Sequence, residues 1–306
     1  MKRFLCCLVY IYFSLPVLAQ SDTAQTLQKD SSVIANTPAS GFRSTARQTK
    51  QSRYNLRPVV DIPVFSAGAG WSAYAFTRIY SKPHSADEEI LNLNRNNINW
   101  FDRWAVRPFS KSEDKISYYP FFASMPLPFL FLAGKSTRKD FFKLTFLYLE
   151  AMSVTGSLYT ASVYFANRYR PYAYSDQSSL AQRTRGGAKN SFYAGHPALV
   201  ATSTFFMAKV YADYHPDSKS KWIFYSLAGA STALTAYLRY RAGQHFPSDL
   251  PLGMVQGTFT GLLVPQFHKS KLRRHTNLSL LPFGDGDTLG IAAIYTLPYK
   301  QSKFSD

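Results

Sequence analysis

Cysteine is nearly missing from this chain: it has two, Cys6 and Cys7, side by side near the N-terminus. From residue 8 onward there is no thiol, which excludes disulfide staples, a cysteine nucleophile and thiolate-bound zinc. Acidic residues are scarce as well. Asp and Glu number 18 against 35 Lys and Arg, a formal net charge of +17, which selects for an anionic partner: nucleic acid, an anionic membrane surface or a phosphorylated substrate. Purely aliphatic runs are also lacking, since Gly, Ser, Thr or Tyr breaks every long apolar stretch. There is no internal repeat, no serine elbow and no His/Asp/Glu set at divalent-ligand spacing.

Aromatic residues, by contrast, make up 16% of the chain, a composition suited to membrane interfaces or to the wall of a pocket. The opening MKRFLCCLVYIYFSLPVLAQS has a basic Lys2-Arg3, an apolar run from Phe4 to Phe13, a breaker at Pro16 and a small-residue cleavage pattern ending at Ala19. It reads as a secretory signal peptide over residues 1–19 that exports the chain. Residues 20–57 are polar and read as a flexible tether. A helical bundle is expected over 58–268, then a basic linker and a C-terminal β-hairpin over 269–306, around the glycine-aspartate turn at 284–287.

Within the bundle, Val59–Tyr80 is apolar but carries Asp61 and Pro63. The stretch NINWFDRWAVRPFS, with Ile98, Phe101, Trp104 and Ala105 at helical spacing, predicts an amphipathic helix. Tyr118–Gly134 is broken by three prolines, whereas Phe141–Ala166 is long enough to span a bilayer despite Glu150. Pro197–Tyr211, Trp222–Tyr237 and Leu250–Phe267 follow, all rich in the small residues that let helices approach closely. These segments predict an all-α bundle with several transmembrane helices.

Three polar clusters fall at segment ends: Asn167–Tyr172 (NRYRPY), Ser191–Leu199 (SFYAGHPAL) and Tyr237–Gly253 (YLRYRAGQHFPSDLPLG). An up-down bundle brings such ends to one face. Together they hold two histidines, several arginines and a carboxylate. That set suits covalent phosphoryl transfer, in which guanidiniums grip phosphate oxygens, one imidazole attacks phosphorus and the other protonates the leaving oxygen.

On these residues the chain resembles the type 2 phosphatidic acid phosphatase family, which shares its fold with vanadium-dependent haloperoxidases. Arg170-Pro171, Gly195-His196 and Arg239-x5-His245-x3-Asp249 match the family pattern in order and spacing. The resemblance runs from about Val59 to His268 and implies an all-α bundle of the phosphatase/haloperoxidase kind. It implies His245 as the nucleophile, Asp249 as the group that orients it and His196 as the general acid. Arg170 and Arg239 would hold the phosphate, with Gly195 allowing close backbone approach. Four positions depart from the pattern: Val163 stands where the family has lysine, Tyr193 and Ala194 where it has the second motif's proline and serine, and Leu238 where it has serine before Arg239. Arg168, two residues before Arg170 in an extended segment, is expected to supply the missing charge as a further phosphate ligand; Lys189 is the other candidate.

The function expected is hydrolysis of a phosphomonoester or diphosphate of a membrane lipid through a phosphohistidine, with no metal and no cofactor. The partners are a phosphorylated lipid and a membrane, not nucleic acid; nothing in the sequence sets the oligomeric state. Lys135, Arg138 and Lys139, then Lys219 and Lys221, then Lys269, Lys271, Arg273 and Arg274 fall opposite the site, so the active site is expected to face the periplasm from the inner membrane. The alternatives are an exported acid phosphatase of broad specificity and a non-catalytic relative that binds anionic lipid.

Overall fold

A computed structural model describes residues 52–270, together with the backbone of 278–284 and 289–295. The expected signal peptide and most of the tether lie outside the described residues. Six long helices dominate: α1 (Pro58–Tyr80), α2 (Lys111–Ser124), α3 (Phe141–Ala166), α4 (Gly195–Tyr214), α5 (Lys221–Arg241) and α6 (Asp249–His268). The mostly helical architecture is the one expected. Of the tail, the segments Leu278–Gly284 and Leu289–Tyr295 pair antiparallel, while the turn between them lies outside the described residues. The hairpin as a whole therefore stays an expectation.

Local chemistry explains where these helices start and stop. Pro58, whose missing N–H costs nothing at a first helical position, opens α1, and Ser110 caps α2 by accepting from the Glu113 N–H at 3.4 Å. Helix α3 stops at Asn167, which takes a left-handed φ of 46°, and α5 is followed by Gly243 at φ 71°. The amphipathic helix expected around Trp100–Ala105 shrinks to one turn, Trp100–Arg103. Asn99 caps that turn by accepting from the Asp102 N–H at 2.8 Å, and the Arg107-Pro108 pair disfavours continuing it. Trp100 and Trp104 remain exposed.

Helix α4 is central, packing on α6, α5, α3 and α2, while α1 lies along α3. Its closest partner is α6, through a seam of three glycines. A Cβ on Gly253, Gly257 or Gly261 would come within 2.3, 2.0 or 2.6 Å of the carbonyl oxygens of Ala194, Ala198 and Thr202. Both sets step by four residues in the same direction, so the two helices run parallel and start side by side. A second small-residue seam joins α1 to α3, with Gly68 against Ser153 and Gly156 against Ser72.

Polar side chains point inward. Thr155 and Thr202 hydroxyls meet at 2.7 Å, and Tyr148 donates to Ser203 at 3.0 Å. Large apolar side chains point outward instead: Leu252, Val255, Phe259, Leu263 and Phe267 form an exposed stripe along α6, and Ile223, Leu227 and Leu234 do so on α5. Among the described residues, no helix is long and apolar enough to cross a membrane. The expected transmembrane helices are therefore not met by that measure, because Ser, Thr, Gly and Tyr dilute the hydropathy of every helix.

Candidate active site

The chain segments that build the site converge at the end of the bundle where α1, α3 and α5 finish and α2, α4 and α6 begin. Between them lies a cavity of about 430 Å³, with Arg170, His196, Arg239 and His245 in its wall. Four of the expected site residues thus share one cavity. Tyr118, Tyr159, Asp114, Gln244, Lys82 and Arg185 line it with them.

Both arginines are pinned. Arg239, almost fully buried at the last turn of α5, donates to Asp114 Oδ1 at 2.6 Å and to Ser117 Oγ at 3.2 Å, while its Nε has no hydrogen-bond partner. Arg170 donates from Nε to the Gly187 carbonyl at 2.9 Å and from Nη1 to the Gln244 carbonyl at 3.0 Å. Gln244 in turn donates to Asp114 at 2.8 Å, which joins the two guanidiniums through one carboxylate.

The imidazoles are set differently. His245 Nδ1 lies 2.6 Å from the Ser191 carbonyl, which accepts only, so Nδ1 carries the hydrogen and Nε2 the lone pair of the neutral ring. His196 sits edge-on to Tyr118, ring centres 4.8 Å apart, and against Phe121. Burial, then Arg239 and Arg170, push His196 well below its ordinary range; burial, then Arg170 and Arg239, do the same to His245. Both rings are therefore neutral at neutral pH.

Asp249 makes no hydrogen bond with His245. Its Oδ2 accepts from Ser191 Oγ at 2.6 Å and from the Phe246 N–H at 2.9 Å, and its Oδ1 accepts from Arg168. It holds the residues on either side of the imidazole: Ser191, whose carbonyl fixes the ring, and the amide next to His245. Burial pushes the Asp249 carboxyl up, against the pull of Arg168 and Ser191.

Arg168 departs from expectation. It is absent from the cavity wall and lies between two buried carboxylates, donating to Asp102 Oδ2 at 2.6 Å and to Asp249. It also donates to Ser248 at 3.0 Å and stacks over Phe246, 4.5 Å from the ring centre. Two buried carboxylates, for which Arg168 is the cation within reach among the described residues, outcompete the cavity for this guanidinium. Asp102 is secured further by the Ser248 N–H at 3.0 Å and hydroxyl at 2.5 Å. Burial alone would raise the Asp102 carboxyl, but the bonds from Ser248, Arg168 and Asn99 outweigh it and hold it low. Gly195 also has a different reason to be glycine: a Cβ there would lie 2.5 Å from the Tyr159 ring, so its bareness seats a wall of the cavity.

Two cations of the cavity wall, Lys82 and Arg185, are missed by sequence spacing. Lys82 Nζ donates at 2.9 Å to the carbonyl of Val163, the residue standing where the family pattern has lysine. A lysine from the segment after α1 thus reaches the place that α3 leaves uncharged. Burial, then Lys189 and Arg170, lower its pKa to about 8. Gly186 makes this approach possible, since a Cβ there would sit 1.9 Å from the Lys82 carbonyl. Lys189 itself faces Glu89 at 3.8 Å and is not in the cavity wall. No motif spacing could reveal Lys82, because its neighbours lie some eighty residues away in sequence.

The family model for the PAP2 superfamily matches residues 144–273. No curated protein matches the chain. Among solved structures, the chain is similar to the crystal structure of a transmembrane PAP2-type phosphatidylglycerolphosphate phosphatase from Bacillus subtilis, at 22% identity and a TM-score of 0.42, covering 70% of this chain and 98% of that one. The stretch similar to the PAP2 superfamily, residues 144–273, is the one that supplies both histidines and both buried arginines of the cavity.

Proposed function

We propose that this protein is a phosphatase that hydrolyses a phosphomonoester or diphosphate of a membrane lipid through a phosphohistidine on His245. The observation that carries this reading is the convergence of two neutral imidazoles with Arg170, Arg239 and Lys82 on one cavity, the tautomer of His245 being set by the Ser191 carbonyl. His245 Nε2 attacks phosphorus, the bond to the leaving oxygen breaks, and that oxygen takes a proton from His196. Water then attacks the phosphohistidine, returns a proton to His196 and releases inorganic phosphate with His245 restored. The cations meet the charge on the phosphoryl oxygens, and because carboxylate and carbonyl partners already fix the guanidiniums, little reorganisation accompanies the reaction. The entering phosphate dianion offsets the guanidinium field, so His196 gains its proton as substrate binds. Asp249 and Arg168 act as positioning residues.

A lipid substrate is favoured by the exposed apolar stripes of α5 and α6, which suit contact with acyl chains. Lys135, Arg138, Lys139, Lys219, Lys221 and Lys269 gather at the end opposite the cavity, where α3 and α5 begin and α6 ends. The cavity end is basic too, but there Arg168, Arg183, Arg239 and Arg241 are paired with carboxylates and others face the phosphate site. We therefore read the opposite end as cytoplasmic and the catalytic face as periplasmic.

The test is phosphate release from phosphatidic acid, an isoprenoid diphosphate and lipid A in mixed micelles, beside a soluble phosphomonoester. Turnover of a lipid and an acid-labile phosphohistidine trapped on His245 are expected. Turnover of the soluble ester alone would assign a broad acid phosphatase instead. Binding of anionic lipid with no phosphate released from any substrate would refute the enzymatic reading.

A further inference from the structure

At the end of the bundle away from the cavity, three ionisable side chains from three helices face one another: Asp61 of α1, Glu150 of α3 and His268 of α6. All are buried, and one potential ligand atom from each lies within 4.8 Å of the other two. Their positions, 61, 150 and 268, explain why no ligand spacing shows in the sequence. The cluster is separate from the catalytic site: α6 carries Asp249 at one end and His268 at the other, so about 28 Å of helix lies between them.

Hydrogen bonding prepares these atoms as ligands. His268 Nδ1 lies 2.7 Å from the Val264 carbonyl and donates to it, turning Nε2 towards Asp61 Oδ1 at 3.0 Å and Glu150 Oε2 at 3.8 Å. The second oxygen of Asp61 accepts the Arg57 N–H, which fixes the carboxylate from outside. Such outer bonds orient ligands in metal sites. Glu150 is 5% exposed, and its Oε2, aimed into the cluster, has no hydrogen-bond partner. A buried carboxylate oxygen left bare is costly, and an imidazolium alone would leave two carboxylates with one positive charge.

We infer that Asp61, Glu150 and His268 form a structural binding site for a divalent first-row metal, Zn²⁺ by its donor set. One imidazole nitrogen and two carboxylate oxygens are Zn²⁺ ligands, and the two negative charges balance the ion. Bonds of about 2.0–2.2 Å in tetrahedral geometry separate ligand atoms by about 3.3–3.6 Å. The observed separations of 3.0 and 3.8 Å bracket that value. The ion ties the ends of α1, α3 and α6 together and takes no part in the chemistry of the distant cavity.

The full untagged chain, stripped with chelator and dialysed against Zn²⁺, is expected to hold one ion per chain by elemental analysis. Zn²⁺ at a hundredfold excess over its Kd should raise Tm by about 5–10 °C. Co²⁺ in its place should give the visible absorption of a four-coordinate site. Glu150→Gln and His268→Gln should lose the ion and the Tm shift, whereas His196→Gln, which removes a cavity histidine, should keep both. A wild-type chain that binds no Zn²⁺, or variants at 150 and 268 that bind it undiminished, would overturn the assignment. Should those variants fail to fold, the wild-type and His196→Gln measurements decide: Co²⁺ absorption with a Zn²⁺-dependent Tm in both supports the site, and its absence from either refutes it.

Discussion

Replacing Lys82 tests the most specific reading of the cavity, that a lysine from outside the family motifs does the work of the one missing at Val163. Its ammonium is held on the Val163 carbonyl in the cavity wall. Removing one preorganised donor to a transferring group typically costs about 10²–10³ in rate. A Coulomb estimate agrees at the upper end: unit charges about 4 Å apart at an effective dielectric constant near 20 interact by about 4 kcal/mol, about a thousandfold. Lys82→Ala is therefore expected to lower kcat/KM by about 10²–10³, while Lys82→Arg retains much of it. The pH profile adds a second readout. The lysine is lowered to about 8 by burial, Lys189 and Arg170, and its charged form is the one that binds phosphate. Wild-type kcat/KM should fall as pH rises through that value, and Lys82→Arg should move the fall to much higher pH, because a guanidinium stays charged there. An alanine variant with wild-type kcat/KM and an unchanged alkaline limb would refute the reasoning.

Arg168→Ala leaves two buried carboxylates unpaired and should destabilise the fold by about 3–5 kcal/mol, seen in thermal melts; a wild-type Tm would contradict the network around Asp102 and Asp249. Because burial and the guanidiniums hold the nucleophile His245 below its ordinary range, the acid limb of kcat/KM should lie below pH 6.5. The same depression means the unfolded chain binds more protons below that pH, so stability should fall as pH drops through it, checked by denaturant titrations at several pH values. Gly257→Ala drives a Cβ against the Ala198 carbonyl and should cost about 1–3 kcal/mol. Gly70→Ala, where nothing lies within 4 Å, should be neutral or stabilising in the same melts.

How much of this could be read from the chain differs from residue to residue. Helix α3 is found where the apolar run predicts it, Phe141 to Ala166, because no breaker interrupts that run and Asn167 ends it. Ile98–Ala105 has the same periodicity over a shorter span, and there capping at Asn99 and the proline at 108 prevail over the apolar spacing. The convergence of Arg170, His196, Arg239 and His245 was legible because all four lie at or just beyond the ends of helices that an up-down bundle brings to one face. The partner of Asp249 was not. A spacing of four residues places it near His245, but only the folded loop shows Ser191 coming between them. Alternation in an extended segment suggested that Arg168 and Arg170 share one target, whereas carboxylates from distant segments separate them.

The glycine seam between α4 and α6 also constrains how chains of this design can vary in length. Gly253 lies four residues after Asp249 and packs on Ala194, which directly precedes Gly195-His196. One residue inserted between Asp249 and Gly253 would turn the helix start by about 100° and advance it by about 1.5 Å, carrying His245 away from the cavity. The link from α4 to α5, residues 215–220, lies at the far end and bears on no such ruler. Insertions should therefore be tolerated there and excluded from 245–261, so the separation of the two histidines along the chain is free while their separation in space is fixed.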